Sequence, residues 1–302
     1  VFAYVRQKFK HSLADGWPRY KLEVGPENRV FLIGAPIWVV FSLYGRGTRG
    51  YVALDVRRRR LVFLKDCWRP YYQDVEPEGN YLERLNLAAK EEPELRVPTV
   101  VAHGDVAGQV ALTAHAKSVQ ADGEGGTEYR LYTHYRIVVK DICLNFTDVV
   151  SSRQLVRGIF DCMTTHALAY TKAQLLHRDV SAGNVIILPT LSPSVDKDGN
   201  RKVTWSGILT DWELAKTVPA PNPSDSTPSK ETPRQPERTG TWQFMSVAYV
   251  KHHPSRPVSI ADELESFFHV LLFYAVRLLR HNIANVHFFV AEYFDHYSLK
   301  DG

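Results

Sequence analysis

The chain has 302 residues, 44% of them hydrophobic, and a formal net charge of +4 at pH 7. This length can bury one large or two modest cores, and so small a charge identifies no partner. The sequence has no run of about 18 consecutive apolar residues, which excludes a membrane-spanning helix. Its three cysteines lie far apart without a C-x-x-C pair, which argues against a disulfide scaffold or a zinc site. The first residues have neither an initiator Met nor a signal-peptide pattern, so we expect a fragment of an intracellular protein, cytoplasmic or nuclear.

The N-terminal half is predicted to be a sheet with one inserted helix. Strand-forming residues, broken by glycines and charged turns, predict strands at 31–33, 37–41, 50–54, 61–64, 97–101, 109–114 and 129–139. His103-Gly104-Asp105 separates the fifth strand from the sixth, and the spacing of apolar residues predicts a helix at 78–87. The arginine run at 57–60 lies between two strands. This position favours a solvated hairpin turn over a nuclear-targeting or nucleic-acid patch.

The C-terminal half is predicted to be mainly helical. One helix is expected at 151–173, where Ser151 and Ser152 are suitable N-caps, and a strongly apolar, buried helix at 262–280. Strands at 185–188 and 204–209 flank a hairpin turn rich in Pro, Asp and Gly. A sheet-rich half followed by a helical half predicts two lobes with a cleft where they meet.

A glycine-rich segment precedes one of the first strands. Gly45-Arg46-Gly47-Thr48-Arg49-Gly50-Tyr51-Val52 matches the pattern G-x-G-x-x-G-x-V. Glycines allow a backbone to close over phosphate groups where a Cβ would collide. A strand follows this segment, whereas a helix would follow a dinucleotide-binding turn, so the context favours a kinase loop. The residues predicted to contact a nucleotide here are Gly45, Gly47, Gly50 and Val52.

A lysine and a glutamate follow the glycine-rich segment. Lys65 ends an apolar strand and is the candidate for holding the α- and β-phosphates of a nucleotide. Glu78 opens the predicted helix and is the expected ion-pair partner of Lys65, with Glu83 as a close competitor. Either carboxylate has an alternative interpretation as a solvated charge on a helix surface.

Two motifs in the second half supply candidate catalytic groups. His177-Arg178-Asp179 and Asn184 form H-R-D-x-x-x-x-N before an apolar strand, the catalytic-loop pattern of protein kinases. Asp179 is the candidate for orienting an attacking hydroxyl, and Asn184 for holding a metal on the phosphates. Asp211, at the end of the next strand, is the second candidate metal ligand, and such oxygens suit Mg²⁺. The alternative is that these residues only cap their own turns.

These motifs, in this order, resemble the fungal-type protein kinase family over roughly residues 30–290. The resemblance is carried by L-K-D-x-W from Leu64, H-R-D-V-S-x-G-N from His177, T-D-W-E-L-A from Thr210, R-T-G-T-W-Q-F-M-S from Arg238 and D-E-L-E-S-F-F from Asp262. It implies an α+β, bilobal protein kinase-like fold with a sheet-rich N-lobe at 1–142 and a mainly helical C-lobe at 143–302. Within the C-lobe we expect residues 215–240 to be mobile and the last part of the lobe to be short or missing.

The resemblance also implies a function. We expect ATP and Mg²⁺ as cofactors, and transfer of the γ-phosphoryl group to Ser or Thr hydroxyls of a protein substrate. Thr241 is expected to steady Asp179 and to shape the acceptor site, and Asp262 to brace the backbone of the catalytic loop. Neither nucleic acid nor a membrane is an expected partner, and the oligomeric state is left open.

Arg178, next to the candidate catalytic aspartate, suggests a form of regulation. Such an arginine can bind a phosphate group on the mobile segment and order it. The segment offers candidate phosphorylation sites at Thr227, Thr232 and Thr239. The alternative is that any loop rich in Ser, Thr and Pro contains such sites without regulatory meaning.

Two substitutions depart from the usual protein kinase pattern. Ser181 stands where Ser/Thr kinases carry a lysine that neutralises charge on the transferred phosphoryl group, which weakens the inference to a Ser/Thr acceptor. Glu213 replaces the glycine of D-F-G and adds a carboxylate near the metal site. Two alternatives therefore stay open: a small-molecule phosphotransferase similar to aminoglycoside or choline kinases, and a pseudokinase scaffold.

Overall fold

The chain divides into two compact units. Unit 1 holds Val1–Glu83 and Thr99–Ile142, and unit 2 holds Arg84–Pro98 and Cys143–Gly302. The computed structural model describes residues 2–14, 16–40, 46–71, 75–116, 127–148, 151–195, 197–218, 240–252 and 256–296. Within these ranges, none of the helices has the length and apolar character that crossing a membrane requires.

Unit 1 is built on an antiparallel sheet of seven strands. Its elements are α1 (Ala3–Ser12), β1 (Tyr20–Val24), β2 (Arg29–Ile33), β3 (Trp38–Val39), β4 (Arg49–Asp55), β5 (Arg60–Pro70), the first half of α2 (Glu78–Ala88), β6 (Val100–Ala116) and β7 (Thr127–Val139). From Arg84 onwards, α2 belongs to unit 2. The strand order is β1-β2-β4-β5-β7-β6, and β3 pairs with β4 beside this path. Two neighbouring pairs, β1–β2 and β4–β5, are each joined by a four-residue turn, because antiparallel strands can close through a hairpin.

The two central strands β4 and β5 are buried on both faces of the sheet. Tyr51 and Leu64 belong to a core cluster on one face, together with side chains of β1, β2 and β7. Val52 and Phe63, which lie opposite each other in the register, face the other side and pack towards α1. This double burial explains why these strands read as continuous apolar runs rather than as alternating patterns.

Several predictions for the N-terminal half were wrong in detail. β6 is one strand that runs through His103-Gly104-Asp105, where the sequence predicts a break between two strands. A Cβ on Gly104 would lie 3.2 Å from the Cα of Gly25, so the glycine permits a close approach of the β1–β2 turn rather than a turn of its own. The strand predicted at 37–41 is reduced to Trp38–Val39, with residue 41 outside the described ranges. α1 and β1 were not predicted.

The arginine run at 57–60 forms a hairpin turn, as predicted. Arg60 pairs with Asp55 across the hairpin between β4 and β5. Asp55 is fully buried and accepts hydrogen bonds from the Arg29 guanidinium, at 2.6 Å, and from the backbone N–H of Arg58, at 3.2 Å. The run therefore contributes to closing a turn around a buried carboxylate.

Unit 2 is mainly helical and carries a three-stranded and a two-stranded sheet. Its elements are β8 (Leu144–Asn145), α3 (Ser152–Ala173), β9 (Leu175–Leu176), β10 (Val185–Val195), β11 (Arg201–Leu209), β12 (Lys216–Thr217), α4 (Val247–His252), α5 (Ile260–Leu278) and α6 (Val286–Val290). Ser151 caps α3, because its side chain accepts a hydrogen bond from the N–H of Gln154 at 3.3 Å. β10 and β11 form the predicted hairpin, and both strands extend further towards the turn than expected.

The segment predicted to be mobile, 215–240, begins in regular structure. Lys216 and Thr217 form β12, which pairs with β9 next to the catalytic-loop motif. Residues 219–239 lie outside the described ranges, and with them the candidate phosphorylation sites Thr227, Thr232 and Thr239.

Candidate active site

In unit 1, Lys65 and Glu78 form a buried ion pair. β5 carries Lys65, α2 begins at Glu78, and the Lys65 Nζ lies 2.9 Å from the Glu78 Oε2. Their side chains are only 11% and 6% exposed. The competing carboxylate, Glu83, pairs instead with His103 at 3.3 Å and is 62% exposed. Each member of the pair offsets the charge of the other in a buried position, where an unmatched charge is costly.

Two side chains that sequence analysis missed fix the start of α2 beside Glu78. The N–H of Gly79 donates a hydrogen bond to the Tyr135 hydroxyl at 2.9 Å. A Cβ on Gly79 would lie 2.1 Å from the His103 ring, so only glycine permits this contact. Burial, and then the charge of Glu78, raise the pKa of Tyr135 far above its ordinary value. The sequence contains one signal for this contact, the glycine in the first turn of the predicted helix. Glycine lowers the stability of a helix, so its presence there indicates close packing.

The glycine-rich segment is only partly described, and its described glycines serve the packing of unit 1. Gly45 lies outside the described ranges. Gly47 has a positive φ of 52°, and the N–H of Trp68 donates to the carbonyl of the preceding Arg46 at 2.7 Å. A Cβ on Gly50 would lie 2.9 Å from the ring of Phe63. The segment therefore uses the conformational freedom of glycine at Gly47 and its lack of a side chain at Gly50. Contact of these glycines with a nucleotide remains a prediction.

Val52, the other predicted nucleotide contact, has no exposed surface in the structure. It forms a buried cluster with Val5 of α1 and with Ile142. A ligand can therefore reach Val52 only if this cluster opens.

In unit 2, the carboxylate of Asp179 is held from two directions. Its Oδ1 accepts hydrogen bonds from both the N–H and the hydroxyl of Thr241, at 2.7 Å and 2.8 Å. Its Oδ2 accepts from the Asn184 Nδ2 at 3.0 Å, and the same amide donates to the Asp179 carbonyl at 2.8 Å. Gly240 allows this approach with a φ of 104°, since a Cβ there would lie 2.8 Å from the Arg178 carbonyl. Such fixed geometry is what positioning of a nucleophile needs.

His177 joins the catalytic loop to the turn that carries Asp211. Its Nε2 donates to the Thr210 carbonyl at 2.9 Å, and its Nδ1 accepts from the Asp179 N–H at 3.2 Å. These two bonds require a neutral imidazole with its proton on Nε2. The ring is fully buried against Trp212, and burial lowers the pKa of His177.

Glu263, not Asp262, braces the backbone of the catalytic loop. Glu263 accepts hydrogen bonds from the backbone N–H groups of His177, at 3.1 Å, and of Arg178, and it contacts His166 at 2.6 Å. The brace predicted for Asp262 was therefore wrong. As the third residue of α5, Asp262 turns back to form a capping box with Ser259.

The remaining contacts of Asp262 hold the start of α5. Asp262 accepts from the Arg256 guanidinium at 2.7 Å and from the Ser246 hydroxyl. Burial alone would raise the pKa of Asp262, but the hydrogen bonds from Arg256, Ser246 and Ser259 outweigh burial and lower it far below its ordinary value.

Asp211 lies in a strained turn beside a second carboxylate. Its φ of 60° is left-handed, as is that of Arg178 at 71°, so two of the five described non-glycine residues with positive φ belong to this site. Strained backbone of this kind concentrates at functional sites. Glu213 is buried in a 3₁₀ turn, Trp212–Leu214, and one of its carboxylate oxygens lies within 4.8 Å of one of Asp211. This turn forms without the glycine that the usual motif carries.

Comparison with known proteins assigns the chain to a family. A family model described as fungal protein kinase matches residues 12–275. The chain belongs to the fungal protein kinase family. This membership confirms the resemblance and, with the sheet-rich and helical units, the predicted α+β protein kinase-like fold. No curated protein matches the sequence.

Two solved kinase domains are similar to this chain at low sequence identity. The ROP18 kinase domain, in complex with AMP-PNP and sucrose, is similar at 14% identity with a TM-score of 0.42, over 89% of this chain and 71% of that one. The kinase domain of PF14_0431 is similar at 11% identity with a TM-score of 0.38, over 83% of this chain and 65% of that one.

The donor set in unit 2 fits Mg²⁺. Among the described residues, both hydrogen bonds of the Asn184 side-chain amide use its Nδ2, and its Oδ1 accepts none. Asp211 and Glu213 add two hard carboxylate donors close together. Hard oxygen ligands of this type are those that Mg²⁺ prefers.

Ser181 brings no positive charge to the loop of this kinase. The residue is buried, and its carbonyl accepts the N–H of Asn184 at 3.1 Å in the turn after Asp179. The position therefore supports the turn, and the charge that a lysine would supply is missing from it.

Proposed function

We propose that this member of the fungal protein kinase family is an ATP- and Mg²⁺-dependent kinase that transfers the γ-phosphoryl group to Ser or Thr hydroxyls of a protein. Family membership makes the chain a kinase-like phosphotransferase. The observation that carries the finer proposal is the fixed carboxylate of Asp179, held by Thr241 and Asn184. A carboxylate so held can receive a hydroxyl in one orientation only.

Asp179 would act on the acceptor hydroxyl. Its carboxylate would accept a hydrogen bond from the hydroxyl, orient the oxygen towards the γ-phosphorus and take the proton as the new O–P bond forms. The bond between the γ-phosphorus and the β,γ-bridging oxygen would break in the same step, and ADP would leave. Thr241 keeps the carboxylate from rotating, because two donors of one residue converge on the same oxygen. Most of the rate gain in such a reaction comes from this positioning.

Lys65 would contribute positive charge to the nucleotide phosphates. Glu78 holds the Lys65 ammonium at 2.9 Å, and the ordered start of α2 at Gly79 holds Glu78. In this pair, the carboxylate of Glu78 would hold the lysine ammonium in position beside the phosphates.

Asn184, Asp211 and Glu213 are the residues that would hold Mg²⁺. When bound, the ion neutralises the negative charge of the phosphate oxygens. The chain itself would orient these ligands. The Thr210 N–H donates a hydrogen bond to the Asn184 carbonyl at 2.9 Å, and this bond joins the turn that carries Asn184 to the turn that carries Asp211. Without a lysine at Ser181, we expect slower transfer than in kinases that have one.

A second candidate is a phosphotransferase for small alcohols. The observation that favours it is the pair of carboxylates Asp211 and Glu213, a feature that aminoglycoside- and choline-kinase-like enzymes tend to share. The segment at 240–245, with Thr241 bonded to Asp179, favours the protein kinase instead.

The experiment is a transfer assay with labelled ATP and Mg²⁺. Peptide libraries that present Ser, Thr or Tyr as the acceptor are compared with a panel of aminoglycosides and choline. We expect label on Ser and Thr peptides and none on the small alcohols. Label on a small alcohol alone would establish the second candidate, and label on Tyr peptides alone would contradict the proposed acceptor class.

A further inference from the structure

α1 lies on the same face of the unit 1 sheet as Lys65. Residues directly opposite each other in an antiparallel pair project to one face, and so do residues two apart in a strand. Val52 is opposite Phe63, and Gly50 is opposite Lys65. Val52, Phe63 and Lys65 therefore share one face, and this is the face that α1 covers.

The apolar surface beside Lys65 is closed by α1. Val52 is 0% exposed and Ile142 is 7% exposed, in a cluster with Val5. Phe2, Tyr4 and Phe9 pack against the same cluster. The surface that sequence analysis predicts for a nucleotide is thus occupied by side chains of the chain itself.

Tyr4 reproduces the chemistry of a purine base at this surface. Its ring packs against the Val52 cluster, and its hydroxyl donates a hydrogen bond to the backbone carbonyl of Ile142. A purine offers the same combination, a flat aromatic body and a polar edge that bonds backbone groups. We propose that α1 is an autoinhibitory segment and that Tyr4 occupies the place of the nucleotide base. This inference rests on the proposed function, because it concerns the nucleotide of that reaction.

The inference requires α1 to undock, and the helix buries few of its residues. The helix has ten residues and only two of them, Val5 and Ser12, are buried. Helices this short are marginal in water without packing. The C-terminal end is held by the N–H of Ala35, which donates to the Ser12 carbonyl at 2.7 Å. A bound nucleotide and a docked α1 exclude each other, so the apparent affinity for nucleotide falls by the fraction of molecules in which α1 is undocked.

The contact at Gly34 offers a way to displace α1 without changing it. A Cβ on Gly34 would lie 2.1 Å from the Ser12 carbonyl oxygen, and backbone cannot yield at that distance. Gly34→Ala therefore displaces the end of α1, whereas Tyr4→Ala removes the ring itself. The two variants act at opposite ends of the helix and share no side chain. Lys8→Ala is the matched control, because Lys8 lies exposed on the same helix.

The experiment measures binding of AMP-PNP with Mg²⁺ by calorimetry, and amide hydrogen exchange of residues 3–12, in the four proteins. We expect Tyr4→Ala and Gly34→Ala to bind about tenfold more tightly than the wild type, and Lys8→Ala to bind like it. Saturating AMP-PNP should accelerate exchange in α1 of the wild type.

Two results would overturn the inference in different ways. If the wild type binds AMP-PNP with α1 still protected and both variants bind equally well, α1 does not compete with nucleotide, although the proposed function stands. If no protein binds AMP-PNP even though exchange shows α1 released in the variants, the proposed function fails and the inference with it.

Discussion

The catalytic loop of unit 2 and the glycine-rich segment of unit 1 differ in how far the structure already arranges their residues for the proposed reaction. Asp179 is fixed by Thr241 and Asn184 through hydrogen bonds of 2.7 to 3.0 Å. Gly50 and Val52, by contrast, are engaged in packing with Phe63 and with α1. Under the proposed function, the groups of the catalytic loop are already positioned, whereas a nucleotide would reach Val52 only after α1 moves. We therefore expect control of the proposed kinase at nucleotide binding rather than at the chemical step.

Replacing Lys65, the lysine of the buried ion pair with Glu78, should strongly lower activity. We expect Lys65→Met to slow phosphoryl transfer by about a hundredfold or more, because one preorganised charge contact is lost. Lys21→Met is the control, since that side chain is 61% exposed. Transfer rates at saturating ATP check the prediction, and equal rates in both variants would remove Lys65 from the account.

Removing the brace of the catalytic loop should cost the most stability. Glu263→Ala leaves two backbone N–H groups and His166 unpaired in the interior, and we expect a loss of about 3 kcal/mol in the free energy of unfolding. Urea unfolding measures it, with the exposed Glu94→Ala as the control. If Asp262→Ala slowed phosphoryl transfer by a larger factor than Glu263→Ala, then Asp262 rather than Glu263 would be the residue that braces the catalytic loop.

The buried histidine of the loop makes stability depend on pH. Burial lowers the pKa of His177 below 6.5, so the unfolded chain binds a proton at a pH where the folded chain does not. The contribution of His177 to stability is therefore full above pH 6.5 and is lost as the pH falls below it. Urea unfolding at pH 7.5 and 5.5 should show a steeper loss for the wild type than for His177→Gln. Equal losses of stability in the two proteins would mean that His177 does not titrate between these two pH values.

The smallest effect is expected at the start of α2. Tyr135→Phe removes only the acceptor for the Gly79 N–H, which should cost about 1 kcal/mol of stability. Tyr20→Phe, at a side chain that is 52% exposed, should cost nothing. The distinguishing measurement is the apparent KM for ATP, which should rise in Tyr135→Phe alone because Glu78 loses its support. An unchanged KM would make Tyr135 structural only.

The resemblance to protein kinases predicted two contacts that the structure contains. Asp179 contacts Thr241, and Lys65 contacts Glu78, while the competing Glu83 pairs with His103. The functional roles of these residues stay predictions. The family and the fold class followed from the same motifs.

Other features depend on tertiary packing and could not be read from the sequence. Gly104 resembles a turn residue, yet it permits contact with Gly25 within one long strand. Asp262 and Glu263 are adjacent acids, and only the capping box decides which of them faces the loop. The role of α1 depends on where a short helix docks, which no local pattern encodes.

The central claim is that Asp179 acts on the acceptor hydroxyl from a fixed position. The direct measurement is transfer of labelled γ-phosphoryl to a Ser or Thr peptide by the wild type, Asp179→Asn and the control Asp148→Asn, an exposed aspartate. We expect Asp179→Asn to lower kcat by about a thousandfold with little change in AMP-PNP affinity, and Asp148→Asn to match the wild type. Full activity of Asp179→Asn would contradict the account.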